Sequence, residues 1–265
     1  MKTALTIAGS DPTSGAGAQL DIKVFHRIGV HGLSVLTSIT AQNTIAVKSI
    51  YTVESDAVRE QLEVLLEDVG VDAVKTGMLY SSSIVEEVSV TLKKYGMKKV
   101  VVDPVMVSSS GMPLVEEGTV EKMMQVLFPL TTIITPNIYE ASLLSGINIE
   151  GIDSLYEAAG KIKALGPEIV IITGGHFSAT GISPSKDKTD VVIDLYYDGM
   201  EFHRIESERL AGEYHGTGCA FTSALTAYLA LGNSALEASR KAKEFVVDAL
   251  KKAYHIGSGM GIPGV

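Results

Sequence analysis

The sequence predicts an α/β fold, with a mostly parallel central sheet, helices on both of its faces and antiparallel strands at an edge. Short runs rich in β-branched residues alternate with longer stretches whose apolar residues recur at helical spacing. Later in the chain, two further strand-like runs flank Asp198-Gly199, a pair typical of a hairpin turn. No linker rich in Pro, Gly or Ser interrupts this order, so residues 1–265 are expected to form a single domain.

The first half of the chain predicts a regular alternation of strands and helices. Residues 4–8 form a continuous apolar run, which indicates a buried strand, whereas Leu20, Val24 and Ile28 share one face at helical spacing. The same reasoning predicts strands at 4–8, 34–39, 45–53, 73–76 and 100–103. The helices predicted between them lie at 18–28, 56–69, 83–95 and 115–127.

The second half begins in the same way and then changes, because two helices follow the hairpin without a strand between them. Its predicted strands are 132–135, 169–173, 191–197 and 201–205. Its predicted helices are 153–165, 217–231 and 234–253, with Asp153 as the N-cap of the first. A polar turn is expected at 186–189 and a glycine-rich loop at 255–265.

Charge and cysteine content limit the classes of function. Acidic residues outnumber basic ones by 31 to 22, a net charge of −9, which argues against a nucleic-acid-binding surface. Cys219 is the only cysteine, so no intramolecular disulfide can form, as expected in a reducing compartment. No apolar run reaches the roughly 18–20 residues that span a bilayer, and the first residues lack a signal-peptide cleavage region. We therefore expect a cytoplasmic protein without a membrane or nucleic-acid partner.

Ligands of parallel sheets bind beyond the carboxyl ends of the strands, so the residues that follow each strand are the candidates. The first strand runs into a loop at 9–17 with three glycines, which suits either close backbone approach to a ligand or a tight turn. This loop has neither a Walker A ending nor the glycine spacing of a dinucleotide-binding loop. Asp103 follows a later strand, where a carboxylate either binds Mg²⁺ or caps the next turn.

Two more strand ends carry polar residues and glycines. Asn137 and Glu140 are three positions apart at a helix start, where they can bind a ligand, form a capping box, or do both. Thr173 and Gly174 open a glycine turn that suits either a phosphate-sized ligand or a plain turn, and His176 follows it.

The sharpest signal is a glycine-rich turn, Gly216-Thr217-Gly218-Cys219, that opens a long apolar helix. The first amides of a helix have no partners within it and, together with the helix dipole, they form an anion site. Cys219 lies in that first turn, where a thiol is expected to have a lowered pKa. The alternative is that Cys219 is a small buried apolar residue.

Combined, these segments resemble the hydroxymethylpyrimidine/phosphomethylpyrimidine kinase family of the ribokinase-like superfamily. The resemblance covers nearly the whole chain, and seven motifs in order are highly specific although any one would be modest evidence. The motifs are residues 8–17 with Asp21 downstream, 41–44, 75–79, 103–106, 135–140, 174–176 and 215–219.

The resemblance implies an activity and a set of site residues. The family uses ATP and Mg²⁺ to phosphorylate 4-amino-5-hydroxymethyl-2-methylpyrimidine and then its monophosphate, for thiamine biosynthesis. Gly216, Thr217 and Gly218 would form the anion hole for the transferred phosphoryl group, and Cys219 would stand at the position of the base. The positions implied for the pyrimidine pocket are Gly9, Asp21, Gln42, Met78 and Val105. Those expected to bind ATP are Asn137, Glu140, Thr173 and Gly174, and those expected to bind Mg²⁺ are Asp103 and Glu140.

Three questions stay open at this point. Many family members carry Lys where this chain has Thr173, so the efficiency of the second phosphorylation is uncertain. Pyridoxal or pyridoxine kinases share much of the pattern, and a non-catalytic pyrimidine-binding protein is a further alternative. The resemblance also suggests a homodimer, to which the partly apolar edge at 45–53 would contribute.

Overall fold

The computed structural model describes residues 1–108, 111–174 and 191–265. The strands in these ranges are β1 (Thr3–Ser10), β2 (His31–Gln42), β3 (Val47–Thr52), β4 (Ala73–Thr76), β5 (Val100–Val102), β6 (Ile133–Ile134), β7 (Ile169–Ile172), β8 (Val191–Tyr197) and β9 (Phe202–Glu208). The α-helices are α1 (Gly17–Ile28), α2 (Ser55–Asp68), α3 (Ser82–Lys94), α4 (Thr119–Lys122), α5 (Ile138–Ser145), α6 (Ile152–Lys163), α7 (Thr217–Ala230) and α8 (Ala235–Lys251). The polar turn expected at 186–189 lies outside the described residues, as do Gly175 and His176.

The described strands form one sheet in the order β3-β2-β1-β4-β5-β6-β7-β8-β9. Every pairing from β2 to β7 is parallel, which confirms the mostly parallel sheet. The hairpin around Asp198-Gly199 is confirmed as the antiparallel pair β8–β9 at one edge, and β3 adds an antiparallel strand at the other. The carboxyl ends of the parallel strands therefore lie along one side of the sheet.

Helices cover both faces of the sheet because side chains along a buried strand alternate between the faces. In β5, Val100 and Val102 belong to the apolar core shared with α2, α3, α5 and α6, whereas Val101 belongs to the core shared with α1, α7 and α8. Each such side chain contributes about 1.5–3 kcal/mol when it is fully buried. Two cores hold the sheet between them, and the loops beyond its strands are left free to form a site.

Two helix starts differ from the prediction. The helix expected at 115–127 begins at Thr119, because Gly118 precedes it with a φ of +79°, a conformation that ends any earlier helical run. Asp153 lies inside the first turn of α6, whose N-cap is Gly151. Its carboxylate therefore interacts with the helix dipole instead of capping the helix.

None of the helices in the described ranges is both long enough and apolar enough to cross a bilayer.

Candidate active site

The predicted site residues gather where the parallel strands end, as the topology requires. β1, β4 and β5 are neighbours in the sheet, and α7 packs across all three of them. Those placed on this side of the sheet are Gly9, Gln42, Met78, Asp103, Val105, Asn137, Thr173 and Gly174.

Two glycines allow the backbone segments of this region to approach one another closely. Gly216 precedes α7 with a φ of +77°, and a Cβ there would lie 1.9 Å from the carbonyl oxygen of Gly15. Gly17 opens α1 with a φ of +61°, and a Cβ there would lie 2.5 Å from the carbonyl oxygen of Gly9. Any side chain at either position would force the two helix starts away from the end of β1.

The start of α7 presents backbone amides on the same side of the sheet. The amide of Ala220 makes the first helical hydrogen bond, 2.8 Å to the carbonyl oxygen of Gly216. The amides of Thr217, Gly218 and Cys219 precede that bond and, with the positive end of the helix dipole, suit a phosphate-sized anion. This is the geometry that the Gly-Thr-Gly-Cys turn predicts.

A buried ion pair lies beneath this turn. Lys75 Nζ, on β4, donates to Asp21 Oδ1, on α1, at 2.6 Å, and both side chains are inaccessible to solvent. The Asp21 carboxylate also accepts from Thr6 Oγ1 at 2.6 Å and from Ser223 Oγ at 2.5 Å. Asp21 is thus enclosed by protein donors in this structure.

Lys75 remains a cation in this interior position. Burial by itself lowers the pKa of the ammonium, but attraction to Asp21, Cys219 and Asp103 outweighs burial and raises the pKa above its ordinary value. The sequence analysis quoted Lys75 within a motif and gave it no role. Only the pairing with a residue that is distant in sequence reveals its position.

Cys219 is half-buried, and two carboxylates and one ammonium act electrostatically on its thiol. Burial raises the pKa of its thiol well above the ordinary value; Asp103 and Asp21 act in the same direction, and Lys75 opposes them. The expected lowering of the thiol pKa is therefore wrong in this structure. The sequence-based expectation included the effect of the helix start on the thiol. It could not include the carboxylates that folding brings near the thiol.

Asp103 and Glu140 form a second cluster beside the thiol. Burial raises the pKa of Asp103 to about 6, although Lys75 opposes this. Burial, followed by repulsion from Asp103, raises the pKa of Glu140 to about 8. Glu140 Oε2 accepts from the Asn137 amide at 2.9 Å and Asn137 Oδ1 accepts from the Glu140 amide at 2.9 Å, which confirms the capping box.

This pair of carboxylates fits a divalent cation. Asp103 Oδ2 is buried and has no hydrogen-bond partner in the described part of the chain. Within the described ranges no cluster of three or more His, Cys, Asp or Glu side chains is placed to hold a metal. Mg²⁺ commonly binds one or two carboxylates together with substrate phosphates and waters, so Asp103 and Glu140 suffice as the protein ligands.

The end of β7 is fixed from two sides. Thr173 pairs with Asn137 through a parallel backbone bridge, which places the two predicted ATP-binding segments side by side. The Gly174 amide donates to Asp194 Oδ1 at 2.8 Å, and Asp194 Oδ2 accepts from Lys243 Nζ at 2.7 Å. Because the buried Gly174 amide already donates to Asp194, that amide is not available to a ligand in this structure.

Gly9, Met78 and Val105, the predicted apolar residues of the pyrimidine pocket, lie on the side of the sheet where the parallel strands end. A Cβ at Gly9 would lie 2.6 Å from Ser38 Oγ and 3.3 Å from Met78 Sδ, so the backbone of β1 passes close to both. The carbonyl oxygen of Met78 accepts from Thr37 Oγ1 at 2.7 Å, which fixes this methionine. Val105 is half-buried in the loop after β5.

Gln42 belongs to a polar cluster that also contains His215 and Asp11. Gln42 Nε2 lies 3.2 Å from His215 Nε2, which lies 2.9 Å from Asp11 Oδ2. Burial raises the pKa of Asp11, but hydrogen bonds from His215 and Thr13 outweigh burial and lower it, so the carboxylate is charged. Sequence analysis gave His215 no role beyond its place in a motif, because nothing local to it indicates that Gln42 and Asp11 converge there.

Comparisons with known proteins point to one family of kinases. A family described as phosphomethylpyrimidine kinase matches residues 11–263. The hydroxymethylpyrimidine/phosphomethylpyrimidine kinase of Bacillus subtilis is 39% identical over 97% of this chain and 92% of its own. The thiamine biosynthesis bifunctional protein ThiED of Geobacter sulfurreducens is 43% identical over 97% of this chain, which spans about half (51%) of that protein.

A solved structure is also similar throughout. The pyridoxal kinase of Staphylococcus aureus in complex with AMP-PCP superposes with a TM-score of 0.88 and 36% sequence identity, over 100% of this chain and 93% of that one. The ligand in that structure, AMP-PCP, is an ATP analogue, so the same fold binds a nucleotide in that protein.

We predict that Lys75→Met destabilises the chain by about 3–5 kcal/mol, because it leaves the Asp21 carboxylate buried without its counter-ion. The free energy of unfolding, measured in urea, checks this. Lys161→Met is the control, since Lys161 makes only an exposed pair with Glu157 and should cost at most about 0.5 kcal/mol. The double variant Asp21→Leu/Lys75→Met should recover much of the loss. Equal midpoints for Lys75→Met and the parent chain would contradict the prediction.

We also predict that stability falls as the pH rises from about 4.5 to about 8. Glu140 has an ordinary pKa of 4.5 and a folded value of about 8, so between these limits the folded chain binds a proton that the unfolded chain releases. Asp103 acts in the same direction up to about pH 6. Unfolding in urea across this range should give a shallower fall for Glu140→Gln, with the exposed Glu121→Gln as control. A parent chain whose stability rises over this range would refute the assignment.

Proposed function

The chain belongs to the phosphomethylpyrimidine kinase family, and we propose that it phosphorylates 4-amino-5-hydroxymethyl-2-methylpyrimidine and then its monophosphate at the expense of ATP, giving the diphosphate used to make thiamine. One observation carries the proposal above the others. The start of α7 and the carboxylates of Asp103 and Glu140 lie on the same side of the sheet, where the parallel strands end, and Asp103 interacts with the Cys219 thiol in the first turn of α7. We take residues 1–265 to be one kinase domain, acting in the cytoplasm, where Cys219 stays reduced.

Phosphoryl transfer depends mainly on positioning and on neutralising negative charge. The amides of Thr217 and Gly218 would receive the transferred group. Mg²⁺ held by Asp103 and Glu140 would neutralise these carboxylates and the phosphate oxygens of ATP. The nucleotide would lie along Asn137, Thr173 and Gly174, whose backbones are held together at the ends of β6 and β7.

Cys219 is proposed to accept the proton of the substrate hydroxyl group. Asp103, one of the two carboxylates that raise its pKa in this structure, is also one of the two groups that a bound cation would neutralise. Lys75 and the cation would then both act on the thiol, and a nearby cation lowers a thiol pKa. The raised pKa and the role of base are therefore compatible, provided that proton loss follows assembly of the full site.

The pyrimidine would lie against Gly9, Met78 and Val105 with its polar edge toward Gln42. The amide of Gln42 has both a donor and an acceptor, as an aminopyrimidine edge requires. His215 Nε2 lies 3.2 Å from Gln42 Nε2 and limits the space in which that amide can turn. Thr173 leaves the phosphate region without the cation that many family members have there, and this places more of the charge neutralisation on Mg²⁺.

We also propose that the protein forms a homodimer through the β3 edge. Ile39, Ile45 and Tyr51 are large apolar side chains of β2, β3 and the turn between them, and each is more than half exposed. An exposed apolar group at an open strand edge is typical of a surface that pairs with another chain.

A pyridoxal kinase is the second candidate, and a specific observation favours it: the close structural match to the S. aureus pyridoxal kinase. Pyridoxal also carries a hydroxymethyl group on a flat nitrogen heterocycle. The polar cluster around Gln42 and the apolar contacts of Met78 are compatible with either ring, so relative kcat/KM values must decide between them.

The deciding experiment measures ADP release with ATP, Mg²⁺ and the hydroxymethyl pyrimidine, followed by phosphorus NMR of the products. We expect the diphosphate. Monophosphate alone would restrict the chain to the first step, and Thr173→Lys should then restore the second. ADP formation with pyridoxal and not with the pyrimidine would establish the second candidate. Tight binding of pyrimidine without ADP from either substrate would indicate a non-catalytic protein.

We predict that Cys219→Ala lowers kcat by about 10²–10⁴-fold, the range expected for loss of a general base. The KM for ATP should stay within about threefold, because the anion site is made of backbone. Thermal unfolding of the variant controls for folding. A kcat near that of the parent chain would show that Cys219 is not the base and that positioning at the start of α7 dominates catalysis.

A further inference from the structure

Residues 254–265, which we call the C-terminal strap, contact two loops of the proposed pyrimidine site. One loop carries Gln42 and the other carries His215. The strap folds back on itself through paired hydrogen bonds between Tyr254 and Ile262, at 3.1 and 2.9 Å. It is tied to α8 by the Gly264 amide, which donates to the carbonyl oxygen of Ala249 at 2.9 Å. These contacts fix its base and leave residues 257–261 to cross between the loops.

One side of the strap holds the loop that carries His215. The His215 amide donates to the carbonyl oxygen of Gly261 at 2.9 Å, and the Gly261 amide donates to that of Glu213 at 3.0 Å. Ile262 is almost fully buried, and its Cγ1 lies 3.3 Å from where a Cβ on Gly15 would stand. The strap therefore fixes the backbone that leads into His215 and packs against the loop after β1.

The other side of the strap holds the turn that follows Gln42. The Gly259 amide donates to Thr44 Oγ1 at 3.3 Å. A Cβ on Gly259 would lie 1.7 Å from the carbonyl oxygen of Thr44, so the two backbones are in direct contact. Asn43 Oδ1 accepts from the amides of Ile45 and Ala46 at 2.9 and 3.0 Å, which makes this turn rigid.

We propose that the C-terminal strap is a positioning element for the substrate heterocycle, acting through Gln42 and His215. Gln42 and His215 lie 3.2 Å apart although 173 positions separate them in sequence, and the strap contacts the chain next to each of them. Through these contacts the strap sets the distance between Gln42 and His215. The inference rests on the proposed function, because it assumes that Gln42 faces the heterocycle.

Gly259→Ala tests this proposal most directly. The added methyl group collides with the backbone of Thr44 and must push the strap and the turn apart. We expect the KM for the pyrimidine to rise about tenfold, since displacements of about 1 Å in a positioned site have effects of that order or larger. The KM for ATP should stay within about twofold, because none of the strap contacts described reaches Asn137 or Thr173.

Two more variants separate positioning from folding. Ser258→Ala is the matched control: Ser258 is exposed and adjacent to Gly259, and the change should leave both KM values unaltered. Thr44→Val removes only the hydroxyl group that accepts from the Gly259 amide and keeps the shape of the side chain, so it should raise the pyrimidine KM about two- to threefold without lowering the melting temperature appreciably.

The outcomes distinguish this inference from the proposed function. If the parent chain releases no ADP with the pyrimidine, the proposed function fails, whatever the strap does. If the parent chain is active and folded Gly259→Ala keeps the parent's pyrimidine KM, the strap does not position the heterocycle. Equal increases in both KM values together with a lower melting temperature would show a merely structural role and would also overturn the inference.

Discussion

The buried ion pair between Lys75 and Asp21 is the constraint on which the rest of the site depends. It joins β4 to α1, and the donors to Asp21 from Thr6 and Ser223 add β1 and α7 to the same network. Ser223 is one helical turn beyond Cys219, so the pair sets the depth at which α7 sits over the sheet. Removing two charges from water is costly, so the buried pair is tolerated only where its partners are correctly placed. It therefore favours one arrangement of α1, α7, β1 and β4.

Glycine contacts act on the same arrangement from above. Because Gly216 and Gly17 bring backbone against the carbonyl oxygens of Gly15 and Gly9, the starts of α7 and α1 converge on the end of β1. The surfaces offered to a phosphoryl group are therefore mostly backbone amides. Such groups are fixed by the fold and need no reorganisation when charge develops on a substrate.

Much of this arrangement could be predicted from sequence, because period and strand order decide which residues share a side of the sheet. Asn137 and Glu140 form the expected capping box, since that signal is local. The position of Asp21 and the pKa of Cys219 could not be predicted, because each depends on partners distant in sequence. The start of α4 also differs from the prediction. Periodicity alone placed it at residue 115, but the positive φ of Gly118 makes the helix begin at Thr119.

The raised pKa values of Asp103, Glu140 and Cys219 have a common cause in the charges of the site and their burial. Lys75 balances Asp21, which leaves Asp103 and Glu140 as two buried carboxyl groups without a counter-ion of their own, and burial raises the pKa of both. Raised pKa values favour the protonated carboxyl groups when no cation is bound, and a divalent cation that binds there displaces the protons. Cation binding and proton release are therefore linked. The Cys219 thiol lies beside Asp103 and responds to the same exchange. The fold thus keeps two acidic groups together at an energetic cost that a bound divalent cation would relieve.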